Sequence, residues 1–351
     1  MNYKNIASLV AVGLGIATSS VAWCDQAKEK VATRDKPIVI QLKGAKGKIV
    51  PMEFVACPAG MFEMGCDGDP KSPCYRHEVT LTRKFWIGKF QVTRAQWATV
   101  NQMAPMNEKV VLVGGGASPI TSVTTKQVLE FCDVLMRRYC SKIKNFPKGY
   151  VIRLPTEAEW EYALRANCED ESDPYVKLLN GDKNKEILKE IAVDRAGRRE
   201  FVFKNGGKRD IENFSGPYIK VGTKKPNAWG LYDMVGNGCE LTMDTVDQED
   251  WVPLWDMANE AKNMSPSFKY DDTEKDPLRI SPELDAACSI VRNMENGNPW
   301  SVSPYGKTRV KYEKGSCATF RLVIGPDLIK ERNKDKVKKS AAGKKRSSKK
   351  K

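Results

Sequence analysis

The run Arg153-Leu154-Pro155-Thr156-Glu157-Ala158-Glu159-Trp160-Glu161-Tyr162-Ala163 constrains the fold more tightly than any other part of the chain. Pro155 precedes a position where the Thr156 hydroxyl can accept the N–H three residues on. Glu159 can reach back to the N–H of Thr156, so Thr156-x-x-Glu159 is a capping box. Trp160, Ala163 and Leu164 then fall on one face of the helix that starts there. The spacing dictates a helix N-terminus followed by an apolar stripe that packs on a core.

Other elements can be read on either side of this run. At 351 residues and 41% hydrophobic content the chain can bury a substantial core, as one large domain or two ordinary ones, and disorder throughout is excluded. Ile38 to Leu42 and Val50 to Val55 are short β-type runs around a turn at Gly44 and Gly47, and Val79, Leu81, Phe85 and Ile87 mark further strands. Thr93-x-x-Gln96 is a second capping box, opening a short helix with Trp97 and Val100. Residues 124–142 form an amphipathic helix in which Val128, Phe131, Cys132, Leu135, Met136 and Tyr139 share a face. Residues 166–212 are highly charged and resemble an insertion with one short helix near Glu186 to Ala192. From 213 to 325 the richness in Gly, Pro, Asn and aromatic residues predicts long irregular loops.

The first residues carry Lys4, an apolar stretch from Ile6 to Ala17, and Ser20-Val21-Ala22, the pattern of a signal peptide cut after Ala22; an uncleaved anchor is the alternative. Trp23 before Cys24 argues against lipidation. Export would place the ten cysteines in an oxidising compartment, where disulfides are the default. Cys66 and Cys74 flank a Gly-Asp-Pro-Lys-Ser-Pro loop and are the first candidate pair. Cys132 and Cys140 stand about 12 Å apart along a helix axis, so each needs a partner elsewhere or stays a buried thiol. The formal charge of +14 is uneven: residues 330–351 hold a surplus of ten, leaving +4 for the rest. Such a Lys-rich tail is expected to be disordered, and can bind an anionic lipid surface or an acidic polymer by charge alone, or simply solubilise. For an exported chain nucleic acid is the poorest partner.

The wording of the 153–163 run resembles the signature of the formylglycine-generating enzyme (sulfatase-modifying factor) family, and other family pieces stand in order around it. These are Pro58 to Gly65, His77 to Leu81, Phe90-Gln91-Val92-Thr93, Pro226 to Asn237, and Phe320-Arg321-Leu322. The resemblance covers roughly residues 50 to 325. It implies an α+β, C-type-lectin-like fold with long irregular loops. The expected organisation is a signal peptide at 1–22, a linker and first strand at 23–48, the family domain at 49–326 and the tail at 327–351.

What the resemblance implies for chemistry is selective. A single histidine, His77, excludes a multi-histidine iron or zinc site, and no nucleophile elbow accompanies it for a catalytic triad. In the resembling sequences a histidine at this place starts a strand. The family's oxidases hold copper(I) through a Cys-x4-Cys pair, since soft thiolates suit that ion. Here the corresponding stretch, Arg292 to Val310, contains no cysteine; Cys288 precedes it and Cys317 follows it, a pair read as a disulfide rather than a copper site. No catalytic residue is therefore assigned, and copper is not expected.

Gly236-Asn237-Gly238-Cys239-Glu240 matches a family turn that holds calcium. Carried over by position, Val235, Gly236 and Gly238 would give backbone oxygens and Glu240 its carboxylate, with Asn213 a weaker candidate for a second site. The alternative, equally open, is that Asn237 and Glu240 only satisfy buried backbone groups. The resulting expectation is an exported, non-catalytic scaffold or binding module in the periplasm or on the cell surface, meeting a cell-envelope protein or acidic polymer. The alternative is a copper-dependent oxidase of sulfatase cysteines.

Overall fold

The computed structural model describes residues 35–44, 47–65, 76–101, 115–143, 146–182, 184–193, 218–246, 273–278, 288–292, 307–311 and 318–334. Contacts divide the chain between Lys36 and Pro37, and every strand and helix among the described residues belongs to the unit from Pro37 onward.

Its centre is an antiparallel five-stranded sheet: β1 (Ile38–Lys43), β2 (Ile49–Cys57), β5 (Phe85–Gly88), β13 (Val323–Pro326) and β6 (Tyr150–Arg153), in that spatial order. The first strand, expected at Ile38 to Leu42, is an integral part of the sheet. Alternation along the strands supplies two cores. Met52, Phe54, Trp86 and Ile324 face one side, while Cys57, Phe85, Ile87 and Val323 face the other.

Helices cover both faces. On the first lie α1 (Arg94–Val100) and α2 (Thr125–Tyr139), whose Val128, Phe131 and Leu135 are fully buried. On the second lie α3 (Glu157–Arg165) and α4 (Pro174–Leu179), bringing Trp160, Ala163, Leu164 and Tyr175. Each of the first three helices begins with a complete reciprocal capping box, at Thr93/Gln96, Thr124/Gln127 and Thr156/Glu159. The box at Thr124 has the same Thr-x-x-Gln spacing as the one at Thr93 and is open to the same reading.

The smaller sheets are β3 (Gly60–Met64), β4 (His77–Leu81) and β10 (Thr273–Lys275); β9 (Glu240–Val246), β11 (Cys288–Arg292) and β12 (Lys307–Lys311); and the parallel pair β7 (Ala192–Val193) and β8 (Val235–Gly236). Together these agree with an α+β, C-type-lectin-like fold. The described parts of 213–325 are more regular than expected, since β9, β11 and β12 form one ladder.

Three local expectations change. Helix α3 is not amphipathic: Glu157 to Leu164 are all buried, so its polar residues need internal partners. The stretch after 166 holds two helices, because α5 (Lys185–Ile191) is preceded by α4, whose Asp173 carboxylate accepts the N–H groups of Tyr175 and Val176 ahead of Pro174 at the first turn. Order also runs past 327. Residues 328–334 are helical, Leu328 is buried, and Glu331 takes both Arg83 guanidinium nitrogens at 2.6 and 2.7 Å. The lysine clusters of the tail, from 336 on, lie outside the described residues.

Truncating the chain after Lys334 is expected to leave the thermal midpoint unchanged. Truncating after Pro326 should lower it by roughly 2–5 °C, mainly through loss of buried Leu328, because the Arg83–Glu331 pair is part-exposed and contributes little. Differential scanning calorimetry of the two truncations distinguishes the cases.

Candidate functional site

The turn from Val235 to Glu240 is set by backbone geometry that few residues allow. Gly236 has φ 79°, and a Cβ there would come 2.4 Å from the Val193 carbonyl oxygen, which instead accepts the Asn237 N–H at 2.9 Å. Asn237 is itself left-handed (φ 51°), and its amide clamps Ile219, accepting that residue's N–H at 3.1 Å and donating to its carbonyl at 3.2 Å. Gly238, at φ 120°, has no room for a Cβ against Thr319. Cys239 then accepts the Thr319 N–H at 2.6 Å, which aligns β9 beside the segment carrying Arg321.

This alignment puts Glu240 and Arg321 together in the interior, both side chains completely buried. One carboxylate oxygen of Glu240 accepts from Arg321 Nη2 at 2.7 Å and Gln91 Nε2 at 3.0 Å. The other accepts from Arg321 Nε at 2.6 Å and the Trp160 indole N–H at 2.8 Å. The guanidinium in turn donates to the carbonyls of Gly88 and Tyr232, each at 3.0 Å, and of Asp233 at 3.4 Å. Strand β5, helix α3, the 232–240 turn and the approach to β13 therefore meet at one ion pair.

Asp233 lies beside it, fully buried and left-handed (φ 55°), with its Oδ2 accepting the Gly222 N–H at 2.7 Å. Burial raises its carboxyl from the ordinary 3.8 to about 6, against the Gly222 hydrogen bond and Arg321, with Glu240 adding to the rise. Burial likewise pushes the Tyr175 hydroxyl upward, assisted by the negative charge of Asp233.

Glu159 and Glu161 of the 157–161 signature are engaged in the same internal way, and the Glu157 backbone is anchored as well. Glu159 forks onto Arg153 at 2.7 and 2.8 Å while closing its capping box, and Arg153 Nε reaches the Pro326 carbonyl at 3.0 Å. Glu161 accepts the Gly65 N–H at 2.7 Å and pairs with Arg165 at 2.8 Å. The Glu157 N–H donates to Asp244 at 2.7 Å.

Set against expectation, the turn is present but its carboxylate has a different partner. Glu240, read by resemblance as a calcium ligand, gives all four acceptor directions to Arg321, Gln91 and Trp160. Of the alternative reading, Asn237 satisfies the backbone groups of Ile219, whereas Glu240 bonds side chains and not backbone. Asn213, Cys66, Cys74 and Cys317 lie outside the described residues. Cys288 opens β11 opposite Val246 and Lys311.

Cys57, Cys132, Cys140 and Cys239 are buried thiols, and Cys168 is a half-buried one. Burial pushes Cys140 up to about 11 and Cys132 higher still, which suppresses the reactive thiolate. His77 starts β4 and is buried. Among the described residues no three His, Cys, Asp or Glu side chains converge to hold a metal. Arg321 and Gln91 received no role from sequence, although both stood inside matched family wording, Phe320-Arg321-Leu322 and Phe90-Gln91-Val92-Thr93.

A mixed sheet-and-helix body tied by buried ion pairs around the 153–163, 226–240 and 320–322 motifs defines a sulfatase-modifying-factor-like domain. The model of the sulfatase-modifying factor enzyme 1-like domain matches residues 43–317, and the chain belongs to that family. It is 27% identical over 212 residues to the "Chaperone protein LppX" of Paenibacillus barcinonensis, covering 50% of this chain and 68% of that one. It is 37% identical over 92 residues to the formylglycine-generating enzyme of Bos taurus, covering 26% of this chain and 22% of that one. Among solved structures, Treponema denticola variable protein 1 superposes with a TM-score of 0.55 at 19% identity, over 83% of this chain and all of that one, a likeness of fold.

The buried charges can be probed in two ways. Replacing Arg321 by Met strands the Glu240 carboxylate and should cost about 3–5 kcal/mol by denaturant unfolding, whereas the double change with Glu240→Gln should cost less than the two single changes added together. Asp233→Asn removes a carboxyl whose folded value is raised. Because the native state holds its proton more tightly, the wild type should lose stability as pH rises from about 4 to about 6 and stay level above. The Asn variant should lack that slope and be more stable at pH 7, by roughly 2–3 kcal/mol.

Proposed function

We propose that this chain is an exported member of the family that uses the fold as a non-catalytic scaffold or binding module in the cell envelope. The observation that carries the reading is the placing of its sulfur. The stretch Ser301 to Val310, where the related oxidases set their copper-binding pair, contains no cysteine, and four of the thiols the structure describes are buried. Three ion pairs of the described fold, Arg153–Glu159, Arg165–Glu161 and Arg321–Glu240, are likewise engaged internally.

A relative named as a chaperone supports a role in assisting or holding another protein. Among the described residues no helix is long and apolar enough to cross a membrane. The signal-like start and Lys-rich end fit a module delivered outside the cytoplasm that meets an anionic surface, acidic polymer or envelope protein.

The reading is tested by incubating the purified full-length protein with Cu(I), oxygen and a Cys-x-Pro-x-Arg peptide. The peptide mass should not change. Conversion of its cysteine to formylglycine, abolished by Cys288→Ser or Cys317→Ser, would establish an oxidase instead. Edman sequencing of the protein recovered from its native host should begin at Trp23 if the chain is exported as proposed.

A further inference from the structure

We propose that the Arg321 guanidinium is the resident cation of the 235–240 turn, so that this turn is held without calcium. A hard divalent ion in such a turn has two tasks: it neutralises a carboxylate and collects six to eight oxygen ligands, many of them backbone carbonyls. Arg321 performs the first task on Glu240, while the carbonyls it gathers belong to Gly88, Tyr232 and Asp233, outside the 235–240 turn itself. Its Nε and Nη2 neutralise Glu240 at 2.6 and 2.7 Å, and its remaining N–H directions gather the carbonyls of Gly88, Tyr232 and Asp233 at 3.0 to 3.4 Å. The planar fork suits a carboxylate better than a point charge does, and it cannot be titrated away.

Exchange for a metal is disfavoured from both directions. Glu240 has no acceptor direction left, because the Trp160 indole and the Gln91 amide fill the two that Arg321 leaves. A calcium ion on this carboxylate would have to displace the guanidinium into an interior where Arg321 has no access to water. It would also take the acceptor from two further buried donors. Each of these losses is a desolvated polar group without compensation. Elsewhere in the turn, Asn237 is already spent on Ile219, so its side chain offers no replacement ligand.

The Trp160 indole N–H, bonded to Glu240, reports on this site alone. Full-length ¹⁵N-labelled protein is stripped with EDTA, and the Trp160 resonance, identified with a Trp160→Phe sample, is followed while calcium is raised to the millimolar range. The resonance should not move. A saturable shift or loss of that signal would overturn the proposal.

Thermal melting of an Asn213→Ala chain, which removes the other candidate ligand, gives a second readout. Its midpoint should be the same in EDTA and in calcium. A micromolar site at the turn would instead raise it by roughly 6–8 °C at millimolar calcium, and such a rise would equally overturn the proposal. Both readouts are independent of any catalytic activity, so their outcome is separate from that of the peptide assay.

Discussion

The structure depends on an ion pair placed where no water reaches it. Bringing Glu240 and Arg321 into the interior carries a desolvation penalty of several kcal/mol per ion, and their attraction offsets it only when geometry and further hydrogen bonds are complete. Here they are complete: the carboxylate has four donors, and the guanidinium reaches three carbonyls besides. What the pair contributes is position more than net stability. Its partners belong to four segments distant in the chain, and a slip in any one would strand a charge. Conformations with misplaced segments are thereby raised in energy relative to the native one.

The same device recurs around it. Arg153–Glu159 ties the start of α3 to β6 and to the end of β13, and Glu161 holds Gly65 at the end of β3. Helix α3 is thus a buried rod carrying alternate carboxylates at 157, 159 and 161. A solvent-facing helix would leave such residues in water. In this one each is buried, so the sequence Glu-Ala-Glu-Trp-Glu requires an all-round shell of partners. The apolar side chains between them, Ala158, Trp160 and Tyr162, then fill the core that the ion pairs frame.

How far the sequence could be read depends on the range of each interaction. Capping boxes join residues three apart, so the starts of α1 and α3 were legible at Thr93 and Thr156, and the start of α2 at Thr124 was equally available. Period-two alternation gave β1, β2, β4 and β5 within a residue or two at most positions. The order of the sheet was not legible, because β13 enters between β5 and β6 from the far end of the chain and is only four residues long. For the same reason the central pair was hidden: Arg321 lies 81 residues beyond Glu240, and Gln91 lies 149 before it. Nothing local distinguishes a glutamate that will meet a guanidinium from one that will meet a metal.

The shape of the family turn can be separated from the charge beside it. Gly236, Asn237 and Gly238 are required by backbone clearances against Val193, Ile219 and Thr319, which are the same whatever cation satisfies Glu240. The turn's glycines and Asn237 are therefore fixed by steric clearances, and the charge balance of Glu240 is a separate matter. The thiols obey a parallel logic. Cys57, Cys132 and Cys239 occupy apolar core positions where size and polarity, not nucleophilicity, decide the residue. Among the described residues, Arg321 and four of the thiols are thus turned into an interior that keeps the family architecture.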